Sequence, residues 1–162
     1  MKINRALFRN KDYVLEEEID FSQEQFDPYH IRRIESCKVK VVGSLVEDLL
    51  LLDVSIDVKV IGVCSYTLED VPLDLHIVDS IDITDQKDNE SDDVFYEKDN
   101  IFSFDSYVLS LIVSEVPLVI IKEGATLPNS GDGFRVIDES QYEKERENKK
   151  DSRWSKLDDI EL

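Results

Sequence analysis

Two cysteines, Cys37 and Cys64, are all that the chain offers in 162 residues. That number cannot build a disulfide framework, and the chain is read as belonging to a reducing compartment. Histidine is equally scarce: His30 and His76 show, with the two cysteines, none of the close paired spacing that a zinc site uses, so no metal ligand is assigned. His76 falls on the polar side of an alternating run and His30 in a loop after Asp27-Pro28. No apolar run approaches the roughly 18 residues of a membrane span. The opening MKINRALFRNK carries charge without the apolar core of a signal peptide, which makes the cytoplasm the expected location, with no membrane partner. Of the five glycines, Gly131 and Gly133 come nearest to a phosphate loop, but GDG has neither the spacing nor the strand-to-helix setting. No serine lies in a nucleophile elbow, and neither cysteine has a basic cluster or glycine-rich turn beside it in sequence. No catalytic residue and no cofactor is assigned, and a non-enzymatic protein is expected.

Positive charge is the other shortage. Nineteen Lys and Arg stand against 37 Asp and Glu, a formal charge of −18. Broad wrapping around nucleic acid is excluded, since phosphate binding rests on cations, and basic protein partners suit the chain better. Acidity is densest at 85–99, with seven acids and two bases and no apolar period, which reads as a flexible or partly ordered acidic loop. The first eleven residues oppose the trend. Lys2, Arg5, Arg9 and Lys11 stand there without one acid, and with Arg32 and Arg33 they are the candidates for touching RNA. The competing reading pairs the four with Glu16, Glu17, Glu18 and Asp20 across a hairpin.

What the sequence has in plenty is strict alternation. Leu50, Leu52, Val54, Ile56, Val58 and Val60 share one parity, with Asp53, Asp57 and Lys59 on the other. Cys37, Val39 and Val41 precede them between lysines, and Gly43, Ser44, Glu47 and Asp48 supply turn chemistry, so a hairpin is expected. After a turn at Leu68 to Pro72, Leu73, Leu75, Ile77, Ile81 and Ile83 continue the pattern, interrupted by Asp79, which suggests a bulge. An earlier strand is expected over Tyr13 to Phe21. The period then changes: Phe104, Tyr107, Val108, Leu111, Ile112 and Val116 recur at helical spacing, with Ser103 or Asp105 as cap and Pro117 as terminator. The expected fold is α+β, a mainly antiparallel meander covered by a helix near 104–116. One β-rich domain is assigned to 1–138, and 139–162 to a charged, flexible C-terminal tail or loosely docked helix.

The order of these features carries more than any one of them. A basic-tinged start, a meander ending in VCSYTLEDVPLDLHI, an acidic loop, NIFSFDSYVLSLIVSEVPL and a terminal DSRWSKLDDIEL together resemble the YceD family of large ribosomal RNA subunit accumulation proteins. Two family features are eroded. Where members carry a C-S-R-C-L turn, this chain has Cys64, Ser65, Tyr66, Thr67 and Leu68, and LVIIKEGATLPNSGDGFRV lacks the cysteines of the family's ribbon-like segment. Any metal role is therefore not carried over. The resemblance implies a ribosome-assembly factor supporting large-subunit rRNA accumulation, acting by binding a basic ribosomal protein or assembly partner. Asp53 and Asp57, with Arg153, Trp154 and Lys156 in the tail, are candidates for that contact. The alternative is direct rRNA binding or service to a nuclease, in which Trp154 would stack on a base; Trp154 and Leu157 as a simple tail anchor compete with it.

Overall fold

The computed structural model describes residues 1–9, 12–87, 90–91, 94–128 and 130–148. The chain forms two compact units, Met1–Lys122 and Glu123–Leu162. Lys122 closes the first unit: its N–H donates to Cys64 Sγ at 3.4 Å and its Nζ to Glu69 at 2.9 Å.

The first unit is built on five strands, β2 (Tyr13–Glu18), β3 (Ile31–Val46), β4 (Leu49–Val63), β5 (Asp70–Thr84) and β6 (Val94–Tyr96), lying side by side in chain order. The first four are antiparallel, and β6 runs parallel to the end of β5. Alternation dictates the two faces. Leu50, Leu52, Val54, Ile56, Val58 and Val60 of β4 are all buried, as are Cys37, Val39 and Val41 of β3. Each such aliphatic side chain contributes about 1.5–3 kcal/mol by leaving water. The covering layer consists of α1 (Asp105–Glu115), a 3₁₀ turn at Arg5–Phe8, and a two-stranded ribbon of β1 (Lys2–Asn4) with β7 (Ile101–Ser103). Val108 and Ile112 of α1 and Phe8 of the 3₁₀ turn are essentially inaccessible.

The α+β meander with a covering helix is what the structure contains, with several local corrections. Residues 85–99 are not all loop: Val94, Phe95 and Tyr96, three good β-formers, make β6. The early strand stops at Glu18, before Phe21. Gly43 and Ser44 lie within β3, and the hairpin turn is Glu47-Asp48 alone, with Glu47 at φ +55°. Gly43 is small for a packing reason, since a Cβ there would collide with the Leu51 carbonyl and the Leu52 side chain. Pro72 lies inside β5, and the preceding turn runs from Cys64 to Glu69, with Leu68 at φ +58°. No bulge occurs at Asp79, for the β4–β5 register is unbroken from Leu49/Thr84 to Val63/Asp70. The irregularities sit in β3, between Ile31 and Arg33 and between Ile34 and Ser36, which lets Ile31, Ile34 and Cys37 all face inward. The N-cap of α1 is Phe104 without a side-chain cap; Ser103 Oγ donates to Asp105 instead.

In the second unit, α2 spans Glu139–Asn148. Asp138 caps it, accepting from Ser140 Oγ and Gln141 N–H at 2.7 Å each, and these bonds hold the Asp138 carboxyl below its usual range. Arg135 pairs with Glu145. The tail beyond Asn148 lies outside the described residues.

Candidate binding surface

The face of the sheet turned away from α1 is a lattice of opposed charges. Strand pairing sets it out in rows: Glu18, Lys38, Asp57 and His76 face one another in turn, as do Glu16, Lys40 and Ser55, and Lys59 faces Asp74. Lys40 Nζ lies 2.9 Å from Glu16, Lys59 Nζ 3.6 Å from Asp74, and the His76 Nδ1–H donates to Asp57 at 2.7 Å. These are exposed pairs, each adding at most about 1 kcal/mol. Their importance is the residue left over. Glu16, Glu18, Asp53, Asp57, Asp74 and Asp82 outnumber Lys38, Lys40 and Lys59, so the face is net negative. Asp53 and Asp57 stand on it as expected, both exposed.

The expected RNA contacts do not form one patch. Arg5 is only 2% exposed: its guanidinium donates to the Glu97 carbonyl at 2.9 Å and to the Ile83 carbonyl at 3.4 Å, and lies 5.9 Å over the Phe102 ring. It braces the ribbon and the end of β5, and is corrected from surface cation to core strut. Lys2 and Arg9 are exposed, but Arg9 shares its cleft with Glu47, Asp48 and Asp85. Among the described residues no ion pair joins Lys2, Arg5 or Arg9 to the glutamates of β2, as the competing reading would have it; Glu16 takes Lys40, and Glu17 lies 3.8 Å from the N-terminal ammonium. Arg32 and Arg33 both meet Asp70, at 3.4 and 3.5 Å, and Arg33 also holds Glu35 at 2.9 Å. Lys11, Arg153, Trp154 and Lys156 lie outside the described residues.

Cys64 is not the inert residue that its sequence neighbours suggest. It is fully enclosed in the β4–β5 turn, and its sulfur accepts hydrogen bonds from the Lys122 backbone and the Thr67 side chain that outweigh burial and draw its pKa down to about 7. Sequence could not reveal this, because the principal donor is 58 residues away. Cys37 is the opposite case, pushed up to about 11 by burial and by the Glu18 charge. His30, in its expected loop, donates from Nε2 to the Pro117 carbonyl at 3.0 Å. Among the described residues no group of three or more His, Cys, Asp or Glu is placed to hold a metal ion, and no helix is long and apolar enough to cross a membrane. Compared with protein-family models, with curated proteins and with solved structures, the chain finds no match.

Proposed function

We propose that the protein is a cytoplasmic, non-enzymatic ribosome-assembly factor that supports accumulation of large-subunit rRNA by binding a basic ribosomal protein or assembly partner. The observation that carries this reading is the net-negative outer sheet face, with Asp53, Asp57 and Asp74 exposed beside only three lysines. A surface of that sign raises the encounter rate with cationic proteins and repels phosphate. The resemblance to the YceD family supplies the biological setting.

Direct rRNA binding is the weaker reading. Its described arginines are buried, as Arg5 is, or shared with carboxylates, as Arg32 and Arg33 are with Asp70. Among the described residues no cationic cluster free of carboxylates supplies the counterion release that drives such binding.

The test is depletion in cells with sucrose-gradient profiling, together with capture of partners on the tagged chain at moderate salt. A deficit of mature large subunits and recovery of a basic ribosomal or assembly protein are expected. An unchanged profile with no such protein recovered overturns the reading, and a steep salt dependence of binding to rRNA fragments would favour the alternative.

A further inference from the structure

Beta 5 has an outer edge that no described strand occupies along most of its length. Strand β6 pairs with Asp82, Ile83 and Thr84 only. In an antiparallel pair, alternate residues aim both backbone groups away from the partner strand. Three observations fix which residues of β5 do so. Pro72, lacking an N–H, sits within the unbroken β4–β5 register, where proline is tolerated only with its nitrogen on the free side. Thr84, of the same parity, turns its carbonyl outward to accept from Glu97 N–H at 2.8 Å. Ser80, again of that parity, has its N–H taken by the Asp79 carboxylate at 2.9 Å rather than by β4. Asp74, His76 and Val78 therefore present their N–H and C=O groups to the open edge. The window is bounded on one side by Pro72 and on the other by the bond at Ser80.

We propose that this window, Asp74 to Val78, captures an extended basic segment of a partner protein as an added strand. The proposal rests on the reading of the chain as an acidic binding protein, and names the mode of contact. Main-chain bonds at Asp74, His76 and Val78 supply the affinity, as in strand addition generally. Side chains supply the choice of occupant. Beta 5 holds Asp70, Asp74, Asp79 and Asp82 and no Lys or Arg, so a second copy of the same strand would bring four negative charges against four. A lysine- or arginine-bearing strand meets Asp74 favourably from the side opposite Lys59, its 3.6 Å partner on β4. Val78, 70% exposed on the outer face, and Leu73 and Leu75, half-buried on the inner, gain cover from apolar residues of the same segment. The occupant is thus a short strand combining basic and apolar residues.

The test uses the full chain, with Val78→Pro as the main variant. That substitution deletes one outward N–H and no bond to β4, at an exposed position in a strand that already holds Pro72. The probe is a nine-residue peptide alternating lysine and valine, with a glutamate-valine counterpart. Wild type is expected to bind the lysine peptide and, on binding, to protect the amides of Asp74, His76 and Val78 from hydrogen exchange. Val78→Pro is expected to weaken that binding about tenfold or more, since one bond of a short ladder is deleted and the proline ring obstructs the added strand beside it. Asp74→Lys should weaken it too, and improve binding of the glutamate peptide. Undiminished binding by Val78→Pro, or binding without protection of those amides, overturns strand addition. Capture of basic ribosomal proteins equally by wild type and Val78→Pro overturns it as well while leaving the proposed function standing; loss of capture by wild type removes both.

Discussion

The Tyr107 hydroxyl donates to Asp79 Oδ2 at 2.8 Å, tying the first turns of α1 to the middle of β5. Asp79 is the acid that breaks the apolar parity of its strand, and this bond is what makes it tolerable there. Tyr107→Phe should destabilise the fold by about 1 kcal/mol, the net value of a hydrogen bond whose partner is left half-buried. Urea unfolding measures it.

The same bond sets an alkaline limit. Burial, then the hydrogen bond to Asp79 and its charge, raise the Tyr107 pKa well above its usual value near 10. A folded-state pKa above the unfolded one contributes stability that is whole below pH 10 and is lost as pH rises beyond it. Wild type should therefore lose stability more steeply than Tyr107→Phe above about pH 10, as thermal unfolding across pH will show.

Arg5 and Arg9 should separate cleanly. Arg5→Ala strands the Glu97 carbonyl, removes a second bond from the Ile83 carbonyl and empties the space over Phe102, for a cost of about 2 kcal/mol, or roughly 4–8 °C in melting temperature. Arg9→Ala, at an exposed site, should stay within about 0.5 kcal/mol. An Arg5 variant as stable as wild type would contradict its role as a strut.

The two thiols should titrate far apart. Thiolate absorbance in the ultraviolet is expected to rise in one step near pH 7, from Cys64, and in another near pH 11, from Cys37. Cys64→Ser should remove the first step alone. Because the Cys64 pKa is lowered from 9.0, its bonds favour the folded state increasingly from about pH 7 to 9 and lose that contribution as pH falls through 7.

Gly43→Ala should destabilise by about 1–3 kcal/mol, since the clash is with the Leu51 backbone carbonyl, which cannot rotate away. Denaturant midpoints give the comparison.

What could be read from the chain, and what could not, divides by range. Alternation in β4 and β5 and the helical period of α1 are properties of neighbours, and they were legible. Gly43 and Pro72 read as turn residues because both usually are; in the fold one is small to admit Leu51 and Leu52 from the next strand, and the other sits where a missing N–H faces no described strand. The spacing of Ile31, Ile34 and Cys37 looks irregular until two register shifts in β3 are known. Arg5 reads as a surface cation because nothing nearby in sequence announces the carbonyls of Ile83 and Glu97. The carboxylates Asp53 and Asp57 could be placed from parity alone, whereas the open edge of β5 depends on which strand lies beside it.

The pairing of Lys2–Asn4 with Ile101–Ser103 has a consequence for synthesis. A nascent chain growing at about 5–20 residues per second leaves the first ribbon partner waiting on the order of ten seconds for the second. Through that interval Ile3 has no partner strand, whereas Phe8 already has the Tyr13 ring to pack against, so the ribbon closes over the greasy side only after the strands of the meander have been made.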